Sequence, residues 1–383
     1  MFKALLGDKP LMMIHVLPLA IFAYLLFRFA LPLAVPAPVK ALIGLALFLA
    51  TQQHLLMRYL AGGLAAPELP VPVLLGLGWL FVCGLLLLFL VLARDIALLC
   101  RRLWSGQKRL WKKPAFSTGR RQALAVACLA AVPAAYGVKE AVALPEVRDR
   151  QAAFPNLPEE LDGLSVVQIS DLHVSPLLQR DYVRAVVDRT NALNPDLILI
   201  TGDTVDGSLE RRASSVAPLK DLRARHGIFA CTGNHEYYGG YAEWMRALPE
   251  LGLNMLLNGH RVLNIKGQQL VIAGVTDEAA DRFGLPLPDC GAALKGAPGS
   301  AQGAFRILLD HRPGRAQANA AQGVDLQLSG HTHGGHILGF NRLVGRFNSG
   351  YIQGWYQVDR MRLYVSSGAG LWNGFPVRLG VPS

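Results

Sequence analysis

Asp171-Leu172-His173, Gly202-Asp203, Gly233-Asn234-His235-Glu236, His311 and Gly330-His331-Thr332-His333 set carboxylate, carboxamide and imidazole side chains at five points along the second half of the sequence. Mixed nitrogen and oxygen donors of this kind suit divalent ions of borderline or hard character. Two such ions sharing one carboxylate can stand roughly 3.5–4 Å apart, an arrangement that supports in-line displacement at phosphorus. A single histidine on an apolar face is ordinarily a hydrogen-bonded core residue. Here four of the ten histidines, His173, His311, His331 and His333, fall on these points, with His235 a fifth, and a core role does not account for the set.

Such side chains converge only if the elements before them do. Each point directly follows an apolar run, at 164–169, 197–200, 228–230, 305–309 and 324–328. Short β-branched runs bounded by Gly, Asn and Asp read as buried strands. In α/β sheets, ligands gather at the carboxyl ends of the strands, which is where all five points fall. Helical patterns at 179–193, 214–225 and 240–251 alternate with the strands and give an α/β domain. The segment 276–304, rich in Pro and Gly, reads as a loop-rich flap for substrate recognition. Cys231 reads as a buried thiol, a Cys231–Cys290 bridge being the alternative.

In their order, D-x-H, G-D, G-N-H-[D/E], an isolated His and G-H-x-H resemble the motifs of the calcineurin-like metallophosphoesterases, over roughly residues 163–378. Glu236-Tyr237-Tyr238, Gly334-Gly335 and the tail Gly368-Ala369-Gly370 with Pro376-Val377-Arg378 look most like the membrane-associated branch typified by the bacterial YkuE and YaeI proteins. The resemblance implies two packed β-sheets flanked by helices and a metal-dependent phosphoric ester hydrolase. It implies that Asp171, His173 and His333 hold one divalent ion and Asn234, His311 and His331 a second, with Asp203 bridging both. The donors point to Mn, Fe or Zn without choosing among them, and away from Mg, which prefers oxygen alone. A water between the ions is implied as the nucleophile. His235 is implied as a catalytic residue that faces the scissile phosphate, stabilising charge or protonating the leaving group. Tyr237 and His336 are candidates for substrate contact. The resemblance also implies one more strand beyond Arg378, where this sequence stops at Pro382-Ser383.

Apolar residues make up 52% of the 383, and the excess lies at the N-terminus. Residues 74–93 carry no charge, a stretch long enough to cross a bilayer as a helix. Residues 11–27, extended by snorkelling of Arg28, form a second span, and 122–138, interrupted by Pro133, another. The stretch 41–57 is weaker because Thr51, Gln52, Gln53 and His54 cluster at one end; it spans, or it lies in the interface. This organisation gives a membrane domain over 1–138 with three to four transmembrane helices, a linker over 139–162 and a metallophosphoesterase domain over 163–383.

A formal net charge of +11 invites a nucleic-acid partner, but the charge is not where the chemistry is. Residues 1–150 hold 17 Lys and Arg against 6 Asp and Glu, while 151–383 hold 21 of each, so the excess belongs to the membrane part and speaks for no nucleic acid. Arg101, Arg102, Lys108, Arg109, Lys112, Lys113, Arg120 and Arg121 share one loop between two spans, and such loops stay on the cytoplasmic side. The next span then carries residues from about 140 onward outside. Thr118-Gly119-Arg120-Arg121 with the Ala-rich run after it resembles a twin-arginine export signal, ordinary positive-inside flanking being the simpler reading. The expectation is a multi-pass protein of the inner membrane whose catalytic domain works on the extracytoplasmic side on lipid or envelope phosphoesters. Two other readings stand beside it. One is a UDP-2,3-diacylglucosamine-type pyrophosphatase in lipid A synthesis, whose nucleotide substrate demands the opposite topology. The other is a non-catalytic membrane sensor or scaffold, against which the intact donors at every motif count. The sequence leaves the oligomeric state open.

Overall fold

Four helices account for the apolar N-terminal part among the described residues: α1 (Lys9–Leu25, continued by a π-helical turn, Leu26–Ala30), α2 (Ala37–Leu60), α3 (Val71–Trp104) and α4 (Arg120–Ala141). They belong to a computed structural model that describes residues 9–104 and 120–381. Most of the basic loop, 105–119 with the first half of the twin-arginine-like stretch, lies outside the described residues, as does Pro382-Ser383. The chain divides into two compact units: Met1–Leu64 with Leu69–Lys139, and Ala65–Glu68 with Glu140–Ser383.

In the first unit α2 and α3 are long and apolar enough to cross a membrane. The polar cluster at Thr51 to His54, which weakens 41–57 as a span, does not interrupt α2. Thr51 Oγ1 donates back to the Leu47 carbonyl at 2.9 Å, and Gln52 and Gln53 are buried. Arg28 does not simply snorkel: its Nε donates to Asp95 at 2.7 Å, and the Tyr24 hydroxyl donates to the same carboxylate at 2.9 Å, which ties α1 and its π turn to α3. Leu25, Phe29, Leu47, Leu87 and Val91 form the apolar core of this unit. α3 runs on through Arg101 and Arg102, cations that suit the negative end of a helix.

The second unit holds two sheets. The first is parallel, in the order β1 (Val166–Ile169), β2 (Leu197–Thr201), β3 (Ile228–Cys231) and β4 (Asn254–Met255). The second contains β5 (Gly259–Ile265), β6 (Gln268–Gly274), β7 (Phe305–Leu309), β8 (Leu326–Ser329), β9 (Gly354–Val358) and β10 (Met361–Val365), ordered β5-β6-β7-β8-β10-β9. Its inner pairs are parallel and its two edge pairs antiparallel.

Alternation along β2 explains how the layers stack. Leu197 and Leu199, with Phe229 of β3, pack into one cluster with Phe305, Ile307 and Leu309 of β7, between the sheets. Ile198 and Ile200 point the other way, into a cluster with Val183, Val186 and Val187 of α5 (Arg180–Ala192) and with Trp244 and Leu248. A strand buried on both faces reads as a continuous apolar run, which is what 197–200 is. The helix expected at 214–225 starts earlier, as α6 (Leu209–Val216), and tightens into a 3-10 turn at Ala217–Asp221, where Pro218 cannot continue α-helical bonding. α7 (Tyr241–Glu250) carries Trp244 and Leu248. Between 276 and 304 only short turns occur, including the four-residue helix Cys290–Ala293. Cys231 and Cys290 are both buried free thiols.

Candidate metal centre

The carboxyl ends of β1, β2, β3, β7 and β8 open into the loops that carry the five motifs. Side chains hold these ends together across the sheets. Gln168 Nε2 on β1 donates to Thr201 Oγ1 on β2 at 2.9 Å and to the Ser329 carbonyl on β8 at 3.0 Å. His311, just past β7, sets its Nδ1 2.8 Å from the Thr201 carbonyl.

Each chain then folds back sharply. Asp171, His173, Asp203, His331 and His333 have φ of 52°, 47°, 50°, 69° and 48°, in the left-handed region that residues with a Cβ seldom occupy. Such conformations persist where the surroundings over-determine them. Here the Asp171 N–H donates to Gly202 O at 3.1 Å, His173 N–H to Asp203 O at 3.0 Å, and His331 N–H to the Asp171 carboxylate at 3.0 and 3.1 Å. The turns approach so closely that a Cβ on Gly330 would run into the Ser170 and Asp171 side chains, and one on Gly233 into Asp203.

Three groups of donor atoms result, each spanning no more than 4.8 Å: Asp171, His173 and His333; Asp203, His311 and His331; and His173, Asp203 and His235. The first two bring together residues expected to share an ion. The third is not foreseen by the motifs. Asp203 Oδ2 lies 3.1 Å from His311 Nε2 and 3.7 Å from His173 Nε2, between the two sets. Asp203 Oδ1 meanwhile accepts the His235 N–H at 2.8 Å.

The arrangement fits divalent cations on three counts. His173 Nε2 and His333 Nε2 are 3.2 Å apart, as are His331 Nδ1 and His311 Nε2. Two nitrogens about 2.1 Å from one ion, at tetrahedral or octahedral angles, stand roughly 3.0–3.4 Å apart. The far nitrogens of His173 and His311 are engaged by Asp206 and by the Thr201 carbonyl, which leaves their Nε2 lone pairs facing inward. Asn234 is buried and its Oδ1 has no hydrogen-bond partner, an acceptor waiting for a cation.

Electrostatics divide the histidines. Burial, with the Arg312 guanidinium beside His331 and the His336 ring beside His333, drives the pKa of both well down, so both stay neutral donors. Burial also disfavours charge on His311, but with no ion bound the Asp203 carboxylate outweighs it and pushes the pKa up to about 10, so a cation entering here displaces a proton from Nε2. Burial opposes charge on His235 as well, yet Asp206 and Asp203 raise it to about 9. Against burial, His173 and His235 hold Asp206 down to about 2, and His311 and His235 hold Asp203 well below the usual carboxylate range. Burial and the neighbouring Asp203 charge push Asp171 up.

Several residues at the site have roles that the motifs do not disclose. Asp206 is fully buried, with Oδ1 2.7 Å from Nδ1 of both His173 and His235. Its only mark in the sequence is its place three residues after Asp203. The buried Glu236 carboxylate accepts N–H groups from Gly233 at 2.7 Å, Thr204 at 2.6 Å and Asp203 at 3.2 Å, and so clamps the β2 and β3 turns together. Arg312, next to His311, is gripped by Asp277 through Nε at 2.7 Å and Nη2 at 3.1 Å, and presents Nη1 3.3 Å from His331 Nε2.

Of the two candidates for substrate contact, Tyr237 turns away from the site and His336 lies beside it. Tyr237 is buried against Ala279 and Ala280, its hydroxyl 3.3 Å from Thr232 Oγ1, while the more exposed Tyr238 is the one beside His235, ring to ring at 5.5 Å. Consecutive residues in one helical turn point about 100° apart, so only one of the pair can face the site. His336 packs against His333 at 4.8 Å and against Phe375 at 5.0 Å, and burial with Arg378 nearby lowers its pKa to about 3.

The profile of the calcineurin-like phosphoesterase family matches residues 164–335. The chain is 37% identical over 249 residues to an uncharacterised metallophosphoesterase of Helicobacter pylori, covering 64% of each. It is 34% identical over 268 residues to a transmembrane protein with metallophosphoesterase domain of Danio rerio, 68% of this chain and 60% of that one. To the uncharacterised metallophosphoesterase YkuE of Bacillus subtilis it is 32% identical over 222 residues, 56% of this chain and 75% of the relative. The chain thus spans under two thirds of the length of the Helicobacter and Danio proteins. Motifs, two-sheet fold and relatives agree: the chain belongs to the calcineurin-like metallophosphoesterases.

Proposed function

We propose that this protein is a membrane-anchored phosphodiesterase or phosphatase that hydrolyses lipid or envelope phosphoesters with two divalent ions, Mn, Fe or Zn. The observation that carries the reading is the convergence of seven metal donors and His235 from five strand ends. Asp171, His173 and His333 would hold one ion and Asn234, His311 and His331 the other, with the Asp203 carboxylate available to both. When bound, the ions supply Lewis-acid polarisation of the phosphoryl oxygens and activation of water.

This chain's own side chains do the rest. His235, its Nδ1 set 2.7 Å from Asp206 Oδ1, gives its proton to the departing oxygen. Arg312, fixed by the Asp277 fork, offers a cation to a non-bridging phosphoryl oxygen. Tyr238 walls the mouth beside His235. A membrane-borne substrate is supported by the length and apolarity of α2 and α3, and by similarity to a Danio rerio protein named as transmembrane.

The test is hydrolysis of bis-p-nitrophenyl phosphate and p-nitrophenyl phosphate by purified protein with added Mn. Asp203→Asn should lose more activity than the roughly 10–100-fold that changing a ligand-orienting group costs, at unchanged circular dichroism. His336→Ala should retain more. Wild-type turnover by Asp203→Asn would remove the two-ion reading.

A further inference from the structure

Ala65–Glu68 joins α2 to α3 in the sequence, yet it belongs to the phosphoesterase unit. Its seat there is specific at both ends. Trp372 Nε1 donates to the Ala65 carbonyl at 2.9 Å, and the buried Asn373 donates through Nδ2 to the Pro67 carbonyl at 3.1 Å. The Glu68 carboxylate pairs with Arg212, itself buried, and with Arg211 at 3.5 Å. Gly207, at φ 101°, leaves room for it: a Cβ there would stand 3.0 Å from Glu68 Oε1.

Both anchors lead to the metal centre. Arg212 Nε donates to the Asp206 carbonyl at 2.9 Å, and Asp206 Oδ1 holds His173 and His235. The Trp372 ring stands 6.3 Å from the His235 ring. A buried guanidinium stripped of its carboxylate is left uncompensated, and it will shift to find another acceptor. Here a shift of Arg212 moves the Asp206 backbone it is bonded to.

We propose that Ala65–Glu68 completes the wall of the active site and that Glu68 is a positioning residue, acting through Arg212 and Asp206 on the angle at which His235 meets the leaving group. This rests on the reading of His235 as the acid for that group.

The experiment uses the full chain in detergent with Mn, and compares Glu68→Gln, Trp372→Phe and His235→Ala on p-nitrophenyl and phenyl phosphodiesters. A misplaced acid hurts a poor leaving group more than a good one. Glu68→Gln should lower kcat about tenfold on the phenyl ester and less on the p-nitrophenyl ester, with KM within about twofold. Mn per chain should be unchanged. Trp372→Phe, which removes the bond to Ala65 and leaves the Glu68–Arg212 pair in place, should show a smaller loss with the same leaving-group bias. Wild-type kcat for both variants on both esters, beside a strong bias in His235→Ala, overturns the positioning role while sparing the proposed function. Equal losses on both esters with Mn lost overturn it too, since that is collapse of the ion site. No bias in His235→Ala overturns the acid role of His235, and this inference with it.

Discussion

Asp206 sets one carboxylate oxygen against two imidazoles, and that shared contact fixes His173 and His235 relative to one another. An amide in its place removes the negative charge that both rings face and buries an N–H2 group where the partnerless Oδ2 stood. Asp206→Asn should therefore lower kcat roughly 10–100-fold and weaken Mn binding as well, since the charge that faces His173 Nδ1 and orients the ring is lost; Mn titration followed by turnover on an aryl phosphodiester measures both. The donors were legible in the sequence because each directly ends an apolar run. Asp206 and Arg312 were not, nor was the clamping role of the motif residue Glu236, because their work is done across space, Asp206 on an imidazole 33 positions away. Tyr237 drew attention by adjacency to the motif, but the helical turn that starts at His235 sends it into the core and leaves Tyr238 at the mouth.

At the scale of elements, the site is a meeting of turns, and glycine sets how closely they meet. Gly330 after β8 packs where a Cβ would strike Ser170 and Asp171 after β1, so Gly330→Ala should destabilise by about 2–4 kcal/mol and abolish activity. Gly259→Ala, at the start of β5 with nothing within 4 Å of the added atom, should change stability by less than about 0.5 kcal/mol. Thermal unfolding of the two variants side by side is the measurement, and equal melting temperatures would contradict the packing argument. The strands bearing the motifs were readable from their apolar runs. α2 was underrated and α6 misplaced for local reasons: Thr51 satisfies itself on the helix backbone, and Pro218 ends α-helical bonding inside what looked like one helix.

For the whole molecule, the uneven charge makes a prediction that geometry does not. All of the net +11 lies in residues 1–150, with eight Lys and Arg from Arg101 to Arg121, and by the positive-inside rule we propose that this stretch is cytoplasmic and the phosphoesterase unit outside. A reporter active only outside the cytoplasm should work when fused after Ser383 and stay silent when inserted between 105 and 118. The reverse pattern would favour a cytoplasmic nucleotide-linked substrate. The seating of Ala65–Glu68 bears on how such an enzyme can be taken apart or recombined. A fragment beginning near residue 140 keeps every metal donor but arrives with a gap where a distant tetrapeptide should be. The catalytic half is thus not a cassette: a chimera carrying it onto a foreign anchor inherits the chemistry in incomplete form unless those four residues travel with it.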